Sequence, residues 1–137
     1  MLPHYVRSYL WADCELGSAY ENPVLCEDLT RLTFADNAFD LIITSHVMGY
    51  VPRYELALSE IFRVLKPSGT QVFSVPPDFP ISSSSERRCI KVSDEITHVK
   101  TSRYHNSRNG TDCLTYVDYG LDLLKLIDKE NSVPKIF

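Results

Sequence analysis

The chain has 137 residues, 44% of them hydrophobic, which is enough for one globular domain with a moderate core. Its 14 basic and 18 acidic residues leave a net charge of −4, which argues against nucleic acid as a primary partner. No apolar run approaches bilayer-spanning length and no apolar core precedes Asp13, so neither a membrane partner nor a secretory leader is expected, and the default compartment is cytoplasmic.

In chain order, a strand ending at Cys14-Glu15 is only partly recognisable. An acidic turn, Glu27-Asp28-Leu29-Thr30, comes next, and Asp36-Asn37 supplies further turn chemistry. Residues 39–45 are a nearly continuous apolar run rich in β-branched side chains, as in a strand covered on both faces. After Pro52, residues 53–65 place Leu58, Ile61, Phe62 and Leu65 on one helical face, with Glu55, Ser59 and Arg63 on the wetter side. Lys66-Pro67-Ser68-Gly69 stops that helix, with Gly69 as the residue able to take positive φ. Residues 70–75 return as a strand, closed by Pro76-Pro77. A strand–helix–strand order predicts parallel pairing and a ligand beyond the carboxyl ends of the strands. Short polar groups occupy those ends: Asp28 with Leu29, then Thr44, Ser45 and His46.

Beyond residue 77 the pattern weakens. Asp78 to Ile81 and the serines 82–85 have the composition of a flexible exposed loop, and Glu86-Arg87-Arg88 that of a solvated charged patch. Cys89 to Ser93 and Ile96 to Val99 alternate as a hairpin about Asp94-Glu95. Residues 120–129 predict a last helix with Leu121, Leu123, Leu124 and Ile127 on its apolar face. The division expected is one domain over 1–137: a core at 10–76, a loop and hairpin insertion at 77–113, and a C-terminal helical region at 114–137. Cys14, Cys26, Cys89 and Cys113 are scattered without CxxC spacing, and are expected as unpaired thiols. The four histidines make no two-histidine helical motif, so no metal site is expected.

Asp28-Leu29, the run Leu32-Thr33-Phe34-Ala35-Asp36-Asn37-Ala38-Phe39-Asp40, and Arg63-Val64-Leu65-Lys66-Pro67-Ser68-Gly69 stand in fixed order. Together they resemble the class I S-adenosylmethionine-dependent methyltransferases, in particular the type 11 group, over about a third of the chain. Tyr104-His105-Asn106 and Asp118-Tyr119-Gly120 resemble closing segments of one branch of that family. The resemblance implies an α/β, Rossmann-like fold with a mostly parallel sheet flanked by helices. It also implies S-adenosyl-L-methionine as cofactor and a small-molecule or sugar-like methyl acceptor.

By resemblance, Glu15 takes the cofactor's ribose hydroxyls, a task suited to an ionised acid that accepts two hydrogen bonds. Asp28 and the Leu29 amide face the adenine, Thr44, Ser45 and His46 line the pocket near the methyl group, and Tyr104 and His105 lie on the acceptor side. Each has a plainer alternative. Asp28 could cap a local turn, His46 could be a strand-end histidine rather than a catalytic base, and Tyr104 and His105 could be surface residues. Departures matter as well. The family's glycine-rich loop is absent, since only five glycines occur and none has its spacing. Gly49-Tyr50 stands where Glu-His is usual, and Ser68 replaces the first glycine of a Gly-Gly pair. Counting back from Glu15, the first strand and its loop would precede Met1, so the domain is expected to be truncated and incomplete. Two functions follow: a methyltransferase, or a non-catalytic remnant that self-associates through an exposed sheet edge. Dinucleotide binding of the oxidoreductase kind is weaker, because no phosphate-binding glycine fingerprint exists.

Overall fold

A computed structural model describes residues 5–21, 23–76, 80–106 and 112–125. Strands β1 (Arg7–Tyr9), β2 (Ala19–Glu21) and β3 (Val24–Cys26) form a three-stranded sheet, in which β1 and β3 run parallel. β4 (Phe39–Ser45) leads through a short 3-10 turn (Met48–Tyr50) into helix α1 (Tyr54–Val64), and β5 (Leu65–Ser74) pairs parallel to β4. The strand–helix–strand unit is therefore present, and the α/β class holds. Antiparallel pairing is concentrated in the second half. β7 (Cys89–Val92) and β8 (Glu95–His98) form the expected hairpin. β9 (Tyr104–Asn106) pairs with β10 (Asp112–Leu114), and β6 (Glu86–Arg87) pairs with β11 (Val117–Asp118). Among the described residues, the β1–β3 and β4–β5 pairs share no ladder.

The core lies between α1 and the segment 115–119. Ala57, Leu58, Ile61 and Leu65 pack with Met48, Val51, Cys89, Tyr116, Val117 and Tyr119. Backbone bonds stitch this together: the Tyr116 amide donates to the Gly49 carbonyl (2.8 Å), and the buried Tyr119 hydroxyl donates to the Met48 carbonyl (3.3 Å). The other face of the β4–β5 pair is bare, with Leu41, Ile43 and Val72 each at least half exposed. Phe62, expected in the core, is only partly buried; Ala57 and Val64 are fully buried instead.

Several expectations are corrected. The helix stops at Val64 and β5 begins at once, pairing Leu65 with Phe39 before a register shift to Thr70 opposite Leu41. Positive φ falls on Ser68 (70°), not on Gly69. Gly69 is needed for space, because a Cβ there would lie 2.9 Å from the Lys66 carbonyl oxygen. A left-handed serine costs about 1 kcal/mol relative to glycine. Ser68→Gly is accordingly expected to raise stability by about that amount, read as a shifted midpoint in urea with unchanged slope.

The serine run is exposed but not loose. Ser85 donates through its amide and its hydroxyl to Asp122 (both 2.6 Å), its hydroxyl also accepts from the Gly120 amide (3.0 Å), and the Leu121 amide donates to the Ser82 carbonyl (3.0 Å). Nor is Glu86-Arg87-Arg88 a solvated patch. Arg87 pairs with Glu55 and lies over the Tyr54 ring, while Arg88 pairs with Asp118. Cys14 and Cys26 are joined in a disulfide rather than being unpaired, with Cα atoms 6.2 Å apart, within bonding range. The turn after β1 folds back on β3 and brings them together. Cys89 and Cys113 remain free. Of the predicted last helix, only a turn at 123–125 falls in the described residues; 126–129, with Ile127, lie outside them, as does Asp78.

Candidate functional site

Three groups of sequence-predicted residues gather at the carboxyl ends of the parallel strands. The first surrounds the end of β3. Cys14-Glu15 is not a strand end but part of a turn beyond β1, fastened by the disulfide and by a Gly17 amide bond to the Cys26 carbonyl (2.8 Å). Glu15 is exposed, and its carboxylate has no partner among the described residues. Asp13, in the same turn and nearer to β1, also has an exposed, unpartnered carboxylate. Sequence reasoning passed over it, although an acid just past a short apolar strand was visible in Leu10-Trp11-Ala12-Asp13.

Asp28 makes the local turn that its type favours. Its Oδ1 accepts from the Thr30 amide (2.8 Å) and hydroxyl (2.7 Å), and its carbonyl accepts from the Arg31 amide (2.9 Å). The capping role is thus observed. It leaves Oδ2 and the neighbouring Leu29 amide without described partners. Glu27, at 4% exposure, is the residue that shapes this loop, because its carboxylate takes the Thr33 amide (2.9 Å) and the Thr33 hydroxyl.

Arg63 holds the far end of the loop. Its guanidinium donates to both Glu60 oxygens (2.7 and 2.8 Å), to Asp36 Oδ1 (2.7 Å), and to the carbonyls of Phe34 (2.8 Å) and Leu32 (2.9 Å). Glu60 in turn accepts from the Leu32 amide (2.8 Å). Expected on the wetter helix face, Arg63 is a fork that ties residues 32–36 to α1. Only a planar cation with several donors suits that geometry. The Arg63 hydrogen bond chiefly, and the Leu32 amide, hold the Glu60 carboxyl below its ordinary 4.5 despite the opposing effect of burial. A depressed carboxylate stabilises the fold fully above its unfolded value, and that stability is lost as pH falls through the folded value. Glu60→Gln is therefore expected to flatten the loss of stability below about pH 5. Thermal melts taken from neutral pH downward would check this.

The second group ends β4. Thr44 is 7% exposed and its hydroxyl has no described partner. Ser45 is exposed, with its Oγ 3.4 Å from His46 Nδ1 and 3.5 Å from the Ser74 hydroxyl. The His46 amide donates to the Ser74 carbonyl (2.9 Å). His46 itself is left-handed (φ 51°), a conformation that costs a non-glycine residue about 1–2 kcal/mol and is found disproportionately at functional sites.

The third group faces the turn that follows His46. Tyr50 stacks on His105 with ring centroids 5.5 Å apart and planes 16° from parallel. Burial raises the Tyr50 phenol above its ordinary value. Tyr104 and His105, both exposed, line a cleft of about 120 Å³ together with Tyr50, Arg103 and Asp118. Among the described residues no cluster of three or more His, Cys, Asp or Glu forms a metal site, and no helix is long and apolar enough to cross a membrane.

The chemistry at the end of β3 fits one side of an adenosine. A free carboxylate oxygen beside a free amide matches an amino group beside a ring nitrogen, and an unpartnered acid matches a diol. The unpaired Thr44 hydroxyl adds a buried polar group that lacks a partner.

A family model described as "Methyltransferase domain" matches residues 11–73. An arsenite methyltransferase of Aquipseudomonas alcaligenes is 42% identical over 48 residues, covering 35% of this chain and 14% of that protein. A demethylmenaquinone methyltransferase of Corynebacterium urealyticum is 38% identical over 53 residues, covering 39% and 23%. A ubiquinone/menaquinone biosynthesis C-methyltransferase of Neisseria meningitidis serogroup C is 38% identical over 58 residues, covering 42% and 24%. The chain thus matches under a quarter of the length of these relatives. A solved S-adenosylmethionine-dependent methyltransferase from Methanosarcina mazei is 20% identical with a TM-score of 0.38, covering 69% of this chain and 64% of that one.

Proposed function

We propose that this chain, whose residues 11–73 match a methyltransferase-domain family, is a class I methyltransferase that binds S-adenosyl-L-methionine and serves methyl transfer to a small-molecule acceptor in the cytoplasm. The observation that carries the proposal is the unused hydrogen-bonding capacity at the end of β3: Asp28 Oδ2, the Leu29 amide and the Glu15 carboxylate. Asp28 and Leu29 would hold the adenine, Glu15 the ribose, and Thr44 and Ser45 the region near the methyl. When bound, the cofactor supplies a methyl group already activated on a sulfonium sulfur, so alignment is most of what the protein must add. His46 serves as base for an acceptor proton, its ring oriented by Ser45, while Tyr104 and His105 bound the acceptor side.

The test is a thermal melt with S-adenosylhomocysteine, backed by calorimetric titration. At a ligand concentration about 100-fold above Kd, stabilisation of about 2.7 kcal/mol is expected. Asp28→Ala should abolish it. A cooperative melt that ligand leaves unmoved would sink the proposal and favour the second function, a non-catalytic domain. The bare face of Leu41, Ile43 and Val72, and the edge of β4 that is unpaired among the described residues, support that alternative, since both invite self-association.

A further inference from the structure

We infer that Asp118 and Tyr119, from a sequence segment to which the proposed function gives no role, are positioning residues for the Tyr50–His105 stack. That the stack is the acceptor-side wall rests on the function proposed above; that these two residues hold it does not.

The two rings come from distant parts of the chain. Tyr50 ends the 3-10 turn Met48–Tyr50, and His105 lies in β9. Their centroids are 5.5 Å apart and their planes 16° from parallel, a geometry that a small displacement of either segment would lose. His105 is exposed, so a single ring contact is too weak to fix both segments by itself.

Segment 115–119 reaches both. On the His105 side, the Thr115 amide donates to the Arg103 carbonyl (2.8 Å), and Arg103 Nη1 donates to Asp118 Oδ1 (3.2 Å). Asp118 is fastened from behind by an ion pair with Arg88, Nε to Oδ2 at 2.6 Å. This contact is ionic, since the Nε–H makes no aligned hydrogen bond. The same guanidinium donates through Nη1 to the Thr101 carbonyl (2.7 Å), so residues 101 and 103 are both tied down just ahead of His105. The Arg88 and Asp118 side chains are only 13% and 14% exposed, which makes the pair a fixed post.

On the Tyr50 side, the Tyr116 amide donates to the Gly49 carbonyl (2.8 Å) and the Tyr119 hydroxyl to the Met48 carbonyl (3.3 Å). Burial chiefly raises the Tyr119 phenol above its ordinary value, so it stays a donor. Two neighbouring side chains thus each pin the segment that carries one of the two rings.

Nuclear magnetic resonance of the whole chain with isotope-labelled histidine tests this. The His105 ring signals are assigned by their loss in His105→Ala, and the ring-current shift is the part that Tyr50→Leu removes. Asp118→Ala and Tyr119→Phe are each expected to lose most of that shift. The double variant should lose no more than the larger single loss, because one stack opens only once; independent packing damage would add. If Asp118→Ala does not fold, Tyr119→Phe, which keeps the buried ring, decides alone. A shift retained in either folded variant, or additive losses, would overturn the inference. S-adenosylhomocysteine titrated into the parent protein separates the two questions. Absent binding with the shift lost in the variants sinks only the proposed function, and binding with the shift retained overturns only the positioning role.

Discussion

Ile61→Ala is expected to cost about 3–4 kcal/mol and to lower the melting midpoint by roughly 10 °C. Ile61 is fully buried in the cluster that also holds Met48, Tyr116 and Val117. Truncation removes the transfer free energy of its lost carbons and leaves a cavity that the neighbours fill only in part. Collapse is hindered here because the opposite wall is fixed by backbone bonds, Tyr116 amide to Gly49 carbonyl among them. Ile61→Val, which keeps most of the volume, should cost about 1 kcal/mol. Chemical denaturation of the three proteins gives the comparison directly. A loss under about 1 kcal/mol for the alanine variant would mean that segment 115–119 is not packed on α1 as described.

The second large effect is expected at Gly120, which has no side chain for a steric reason. A Cβ there would stand 2.5 Å from the Ser84 carbonyl carbon and 2.8 Å from the Ser82 carbonyl oxygen, so backbone must move. Overpacking against backbone typically costs about 1–3 kcal/mol. At this position the displacement would also break the Ser85 bonds to Gly120 and Asp122. Gly120→Ala is therefore expected near the top of that range, about 3 kcal/mol. Limited proteolysis should show new cleavage within the serine run, which the parent protein should resist. Equal resistance in the two proteins would show that the run is not clasped.

These two positions also show what the sequence could and could not reveal. Ile61 was legible because helical periodicity reports which face is buried, and the same logic located β4 and the hairpin. Asp28 was legible as a turn-former, since an Asx turn needs only neighbours in sequence. Gly120 was visible as part of a motif, but its reason, the close approach of residues 82–85, depends on chain that returns from far away. The serine run looked flexible by composition because its partner Asp122 is 37 residues removed. Arg63 was assigned to water for the same cause. Periodicity marks a residue as off the core face, yet it cannot say that a loop some 30 residues earlier will come to meet it. The candidate site divides along this line: the strand-end residues were read from order and motif. The Tyr50–His105 stack and the Arg88–Asp118–Arg103 triad needed tertiary structure.

The Cys14–Cys26 bond closes a ring around the turn that carries Glu15 and ends next to Glu27. Loop closure of this size removes about 3 kcal/mol of unfolded-state entropy. In a reducing cytosol, or in a buffer containing dithiothreitol, that ring opens and the turn loses its covalent tie, keeping the Gly17 and Ser18 amide bonds and the Ser18 hydroxyl bond to the Glu15 carbonyl (2.6 Å). The aromatic cleft has no part in the ring. Two preparations of one polypeptide, identical in sequence and differing only in thiol count, can thus differ at one ligand end and agree at the other. A free-thiol assay belongs beside every titration, so that a sample's redox history is not mistaken for a property of its binding site.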